Sequence, residues 1–462
     1  MCIRDRPYDL RALLASLDRY PYGCTEQTIS RALPLLYVKE LGRGAAGSDP
    51  GLARRLQGAV RRVLARQTRD GGFGLWSARD DSDPWVSAYA LDFLDRARTA
   101  GYEVDAGTLR RARGYIASLP RRSRRSGAVW EAFAYGLAVL ARSKAVEPGA
   151  VRHFIGNGFD RVRSGLGRAQ LALAAASFGL SESAETALAA AVPALGGNAY
   201  DTYGSSLRDA ATLVAVAAAV KPSALEDAAR RLRRIAAEDS HTSTQEKAWM
   251  VVAAWELTRA AATTRITLDG VPAPARRGGF YRALGSRELA GDGMTLGNPG
   301  ERPVKLLINV GGHPADDEPV HANSITVTRT IRTLAGASAD LDKVKQGDEL
   351  TVVLEGRLAD GAATGRLLIA DLLPAGLEIQ AAILDDKEYA DLGKIHRPDA
   401  LRLRDDRYVA AMMRKGGESF RLAYLVRAVT PGTFRVPAPY VEDMYDPAIQ
   451  ARGAMGRMTV HR

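Results

Sequence analysis

The chain changes its hydrophobic rhythm part-way along. Up to about residue 260, apolar positions recur at intervals of three and four. Residues 54–67 set Leu56, Val60, Val63 and Leu64 at i, i+4, i+7 and i+8, the stripe of an amphipathic helix. The same spacing predicts helices over roughly 85–98, 107–118, 128–143, 166–179, 182–192, 206–220, 223–237 and 244–259. Asp83-Pro84 opens one of them, Pro120 closes another, and Lys221-Pro222 parts two more. Many short helices with short connections predict antiparallel pairs packed side by side. No fixed repeat period is visible, so a strict solenoid is not expected.

After residue 262 the period falls to two. Arg265–Asp269, Val304–Val310, Leu350–Glu355 and Phe420–Arg427 read as strands, punctuated by Gly, Pro and Asp at the spacing of a β-sandwich. A fresh strand set begins at Ile325, after the loop His313–Pro319, which predicts a further boundary near residue 320. The expectation is a multidomain α plus β chain. A helical domain over 8–261 precedes a small β-domain over 262–320 and a β-sandwich over 321–462. Residues 1–7 depart from the helical pattern, and the chain is expected to be a fragment whose N-terminal part is missing.

Composition narrows the class. At 462 residues there is room for several cores. A hydrophobic share of 46% against 25% charged residues excludes a disordered chain. No run of uncharged apolar residues is long enough for a transmembrane helix, and the opening Met1–Leu10 lacks the apolar centre of a signal peptide. Two cysteines, Cys2 and Cys24, exclude a disulfide-rich scaffold and a multi-cysteine zinc site. The net charge of +11 comes from 54 arginines and ten lysines against 53 acidic residues. The arginines are spread along helices (Arg54, Arg55, Arg61, Arg62, Arg66), with one cluster at 121–125. Aromatic interleaving and recognition motifs are missing, so these read as solvated faces, and no nucleic-acid partner is expected.

The chemistry concentrates in 19-RYPYGCTEQTISRALPLLYV-38. Cys24 and Gln27 are three apart. If a helix begins at Thr25, residues at this spacing share a face and their side chains meet. A thiol beside a carboxamide can condense, losing ammonia, to an internal thioester. Such an activated acyl group must be hidden until it is needed. Tyr20 and Tyr22 are aromatic neighbours suited to that, while Pro21 and Gly23 fix a tight turn. A bare Cys-x-x-Gln more often marks a buried structural cysteine. The flanking residues alter that balance.

Tyr-Pro-Tyr-Gly-Cys-x-Glu-Gln-Thr resembles in full the thioester motif of the alpha-2-macroglobulin family, and the chain is similar to the C-terminal part of a bacterial member. Gly23, Cys24, Glu26 and Gln27 stand at the motif positions; Thr25 departs from the Leu common in bacterial members. Supporting segments are Gln67–Trp76, Pro84–Phe93, Ser205–Ala210, Ser243–Trp249, Val344–Asp348, Asp371–Glu378 and Tyr440–Tyr445. The resemblance implies an α/α toroid thioester domain, the remainder of a small flanking β-domain, and a last macroglobulin-like β-sandwich. It implies that Cys24 and Gln27 form the thioester and that Tyr20, Tyr22 and Met444 shield it. It further implies a broad-spectrum, single-use endopeptidase inhibitor rather than an enzyme. Bait cleavage, encoded upstream, would uncover the thioester, and a peptidase Lys amine would attack it. No cofactor or metal is implied. The expected site is the periplasm, with membrane attachment only through an upstream lipid anchor. His241 and His153 cannot be matched to the histidine that favours hydroxyl acceptors in complement-type relatives.

Three rival readings stand beside this one, and the retention of both Cys24 and Gln27 argues against the first, a degenerate scaffold whose thioester never forms. Gln67-x-x-x-Gly71-x-x-x-x-Trp76 with Asp80–Asp83 also fits a repeat motif of α/α-toroid terpene cyclases. Only one such motif is present, aromatic content is 6%, and Asp83 reads as a helix N-cap before Pro84. A covalent adhesin would use the same thioester on a different partner.

Overall fold

The computed structural model describes residues 2–3, 13–14, 17, 23–37, 51–122, 127–197, 202–238, 242–260, 263–274, 276–277, 280–281, 285, 293–300, 304, 306–307, 319–385 and 392–462. The chain forms two compact units: Met1–Asp239 with Thr244–Val310, and Ser240–Ser243 with Gly311–Arg462.

The first unit is built on helices α1 Thr25–Ala32, α2 Leu52–Leu64, α3 Pro84–Thr99, α4 Ala106–Arg122, α5 Gly127–Arg142, α6 Pro148–Gly158, α7 Gly165–Ala176, α8 Ser181–Ala191, α9 Ser206–Val220, α10 Leu225–Glu238 and α11 Thr244–Ala260. Odd-numbered helices contact the next odd-numbered helix, from α1 to α3 through α11, and α11 returns to α1. That closes an inner ring. The even-numbered helices lie outside it, α2 to α8 each against both chain neighbours and α10 against α9. The result is the α/α toroid. Sequence chemistry explains the two layers. Inner helices are apolar on most sides: in α5 every residue from Val129 to Ala141 but Phe133 is buried. Outer helices keep a polar face in water: in the arginine-rich α10 only Ala228, Ala229 and Leu232 are buried.

Most predicted helices match observed ones within a few residues. Helix α6 is not among them; its Gly-rich sequence weakens the periodic signal, and Val151 and Phe154 supply its buried contacts. Pro120 does not close α4 but lies inside it, two residues from the end. There it offers no amide to the Ile116 carbonyl and its ring crowds that carbonyl, and the helix ends two residues later.

Short antiparallel pairings follow α11, among them Thr267–Leu268 with Val271–Pro272 and Leu296–Gly297. The strand predicted over Arg265–Asp269 survives as Thr267–Leu268. Of Val304–Val310, Leu306–Leu307 is a strand, and 308–310 lie outside the described residues.

The second unit holds two principal sheets. One has four strands in the order Thr328–Thr333, Glu349–Arg357, Ser419–Ala428, Leu377–Ile383. The other has six, in the order Ala400–Arg404, Arg407–Arg414, Gly365–Leu372, Tyr440–Asp443, Gln450–Arg452, His321–Asn323. Period-two alternation along the strands gives the core: Leu350, Val352 and Leu354 from one sheet meet Leu367, Ile369 and Met412 from the other in one buried cluster. Within it, Tyr408 and Tyr424 stack with centroids 4.6 Å apart. The Tyr424 hydroxyl donates to Asp371 Oδ2 at 2.7 Å, and Arg329 Nη1 lies 2.6 Å from Asp371 Oδ1.

Candidate functional site

Cys24 is the N-cap of α1. Its backbone is extended (φ −60°, ψ 174°), which turns the side chain back over the first helical turn. The Gln27 amide donates to Cys24 Sγ at 3.4 Å, and the Cys24 amide donates to Gln27 Oε1 at 3.3 Å. This is a capping box with a thiol in the place of a hydroxyl. Both residues are wholly buried, and Cys24 is not in a disulfide. The reciprocal bonds bring a thiol and a carboxamide together at the three-residue spacing, out of water. A pair so held can condense with loss of ammonia.

The segment is held from three sides. Arg66, in the turn after α2, donates from Nη2 to the Gly23 carbonyl at 2.6 Å, and from Nη1 to Thr25 Oγ1 and Thr28 Oγ1 at 3.4 and 3.3 Å. Gly23 permits the approach, because a Cβ there would stand 3.1 Å from Thr28 Oγ1. The loop 66–76 supplies the second side. The Thr25 amide donates to the Leu75 carbonyl at 2.7 Å, and its hydroxyl to the Gly74 carbonyl at 2.6 Å. Gly71 turns that loop at φ +91°, where a Cβ would also strike the Arg111 carbonyl. The motif that also fits a cyclase therefore builds the wall of the Cys24 site. Its acidic neighbours are structural. Asp83 caps α3 by accepting from the Val86 amide at 2.9 Å. Asp80 accepts from the Trp76 and Ser77 amides at 2.7 and 2.9 Å. Burial opposes ionisation of Asp80, but the Ser77 hydroxyl, those amides and the Arg66 charge hold it below the usual range.

The third side is polar and buried. Glu26 accepts from Ser30 Oγ at 2.5 Å and from Thr244 Oγ1, on α11, at 3.2 Å. Ser30 Oγ lies 3.1 Å from the Tyr89 hydroxyl of α3. Full burial pushes the Glu26 carboxyl up to about 7, against its hydrogen bonds and the Arg208 charge, which pull it down. Arg208 is itself wholly buried. It pairs with Asp209 at 2.7 Å and donates to the Thr202 carbonyl at 2.5 Å and to Gln245 Oε1 at 3.2 Å. Asp209 Oδ2 accepts from the Gly165 amide at 3.0 Å, so this pair fixes the start of α7 as well. The segments Ser205–Ala210 and Ser243–Trp249 thus carry the polar braces of α1. Their buried charge was not legible from periodicity, since Arg208 and Asp209 occupy positions that an amphipathic reading gives to solvent.

The sequence-predicted residues distribute as follows. Cys24, Gln27, Gly23 and Glu26 come together in the first turn of α1. Tyr20 and Tyr22 lie outside the described residues, as does His241. Met444 belongs to the second unit, where it is buried and its amide donates to the Arg366 carbonyl at 2.9 Å. His153, on outer helix α6, bonds only with Asn157 among the described residues. Arg66, Thr244 and Arg208 are site residues that sequence reasoning missed.

Comparison with known proteins matches these features to one family. The A-macroglobulin TED domain family matches residues 8–126, which contain the Cys24 site. The bacterial alpha-2-macroglobulin MG10 domain family matches residues 325–448, and the two together take in more than half of the chain. The alpha-2-macroglobulin of Escherichia coli strain K12 is 30% identical over 99% of this chain and 29% of its own length.

The chain belongs to the bacterial alpha-2-macroglobulin family.

The alpha-2-macroglobulin of Xylella fastidiosa strain Temecula1 is 29% identical over 97% of the chain and 29% of its own length. The chain thus spans under a third of these curated relatives. Among solved structures, native E. coli alpha-2-macroglobulin from domain MG7 to the C-terminus superposes with a TM-score of 0.85 at 26% identity, covering 100% of this chain and 77% of that one. Salmonella alpha-2-macroglobulin reacted with methylamine gives a TM-score of 0.87 at 28% identity, covering 100% of this chain and 31% of that one. Family membership carries the toroid and the β-domains with it, and removes the cyclase from consideration.

Proposed function

We propose that this chain is the thioester-bearing part of a peptidase-trapping inhibitor. The observation that carries the reading is the reciprocal capping of Cys24 and Gln27 in a fully buried first turn. In the proposed chemistry, Cys24 Sγ attacks the Gln27 side-chain carbonyl carbon. Ammonia leaves, and a C–S bond replaces the C–N bond. When the site is uncovered, a lysine amine of a bound peptidase adds to the same carbon. The C–S bond breaks, an amide forms, the amine gives up a proton and Cys24 departs as thiolate. The step is used once and needs no cofactor, so the protein is an inhibitor and not an enzyme. Family membership supports this, as does the fit to the Salmonella relative, whose structure was determined after reaction with methylamine.

The surrounding chain would protect the bond before use. Arg66, the 66–76 loop and the Glu26 braces fix the turn, and burial excludes water. Tyr20, Tyr22 and Met444 are proposed as shields on the strength of the motif. Bait cleavage as trigger, peptidases as partners, a periplasmic site and an upstream lipid anchor complete the reading; an adhesin would direct the same bond at a different partner. The test is intact mass of fresh protein with and without methylamine, alongside thiol labelling. The expected species is lighter than the sequence by one ammonia and gains methylamine as the Cys24 thiol becomes reactive. A mass equal to the plain sequence, with Cys24 labelled from the start, overturns the reading.

A further inference from the structure

We propose that Arg66 is the positioning residue for thioester formation, acting on the backbone at both sides of Cys24; this rests on the thioester reading above. Helix α2 ends at Leu64, and the turn after it carries Arg66 into the interior, where the residue is 6% exposed. A guanidinium so placed must satisfy its donors within the protein. It does so on the thioester turn. One nitrogen takes the Gly23 carbonyl, immediately before Cys24; the other takes the hydroxyls of Thr25 and Thr28.

Thr28 completes the grip. Its hydroxyl receives from Arg66 and donates to the Cys24 carbonyl at 2.8 Å. Thr25 receives from Arg66 and donates to the carbonyls of Gly74 and Leu75. One planar cation therefore orders the carbonyl before Cys24 directly, and the carbonyl of Cys24 through Thr28. Those two peptide groups set the backbone torsions of Cys24, and hence the direction of its Sγ toward Gln27. Arg66 is also tied to the wall of the site, because its own carbonyl accepts from the Gly74 amide at 3.1 Å. The rigid fork of arginine suits this task, and a lysine in its place would reach fewer of these oxygens. Thr25 belongs to the same device: its hydroxyl gives the fork an acceptor that a Leu side chain lacks.

The test compares the full chain with Arg66→Met, Arg66→Lys and Thr28→Val. A control, Gly136→Ala, crowds Ile116 between α4 and α5, away from the Cys24 turn. Intact mass reads the ammonia-light fraction, and thermal melting reads the fold. Wild type and Gly136→Ala are expected to carry the thioester alike. In Arg66→Met the fraction falls about tenfold or more, because a misdirected thiol misses the attack geometry. Arg66→Lys recovers part of it. A folded Arg66→Met with the wild-type fraction overturns the inference. If Arg66→Met does not fold, Thr28→Val decides, since it breaks the relay to the Cys24 carbonyl without altering charge: a lowered fraction supports the inference and an unchanged one overturns it. Absence of the ammonia-light species from wild type is a different result, and overturns the thioester reading itself.

Discussion

Cys24 and Gln27 cap each other across the first turn of α1: each side chain accepts the other's backbone amide, at 3.4 and 3.3 Å. A capping box usually serves the helix alone. With a thiol and a carboxamide as its two side chains, the same geometry gathers the reactants of an acyl transfer. The helix start and the proposed warhead are one structure.

Removing the thiol separates the two roles. Cys24→Ala is expected to abolish methylamine incorporation while the toroid still melts cooperatively. The missing cap lowers stability by about 0.5–2 kcal/mol. Cys24→Ser restores a capping oxygen, and recovers stability without any incorporation. Intact mass and thermal denaturation check both. Incorporation of methylamine at Gln27 in Cys24→Ala would remove the thioester from the account.

How much of this was legible beforehand depends on where polar groups sit. The helices were readable where an apolar stripe faces an arginine-rich face, as in α2; the ring they close came from the family resemblance and not from the period. Cys24 and Gln27 were readable from spacing and flanks. Arg66 was not, since it looks like one more arginine of the run Arg61, Arg62, Arg66, and nothing in periodicity marks the one that turns inward. Arg208 and Asp209 were hidden for the same reason. Buried charges are specified by partners from distant segments, as Arg208 is by Gln245 and Asp209 by Gly165. A one-dimensional pattern carries no record of them.

The Arg208–Asp209 pair offers a test of those braces. Both side chains are wholly buried, and Asp209 also holds the amides of Gly165 and Gly196. Asp209→Ala leaves a buried guanidinium without its counter-charge. The expected cost is about 3–5 kcal/mol, read as a large loss in urea midpoint. Asp209→Asn keeps an acceptor and is expected to cost less. A loss in Asp209→Ala no larger than that of an exposed substitution such as Asp227→Ala would show that the pair does not brace the ring.

Met444 is the proposed shield that lies among the described residues. On the proposed shielding role, Met444→Ala is expected to shorten the lifetime of the thioester in neutral buffer. Thiol appearance over time, with the ammonia-light mass as a parallel readout, measures this. Met444→Leu retains apolar volume and should leave the lifetime close to that of wild type. Equal lifetimes in the Ala and wild-type chains would end the shielding role.

Glu26 predicts a pH dependence with a definite sign. Its carboxyl is raised from 4.5 to about 7 by burial, so the folded chain holds a proton that the unfolded chain has released. Below pH 4.5 both states are protonated, and the contribution of the neutral, hydrogen-bonded acid is complete. Between there and 7 the unfolded state is favoured progressively by ionisation, and above 7 the loss levels off. The full span is on the order of 3 kcal/mol. The neutral acid can donate a hydrogen bond within the Ser30 and Thr244 cluster; the carboxylate can only accept. Glu26→Gln keeps the shape without the titration. Melting curves from about pH 5 to 8 should therefore fall for wild type relative to Glu26→Gln, with the separation opening as pH rises. Parallel curves for the two chains would mean that Glu26 stays ionised in the fold, and that its bonds to α11 are those of a carboxylate.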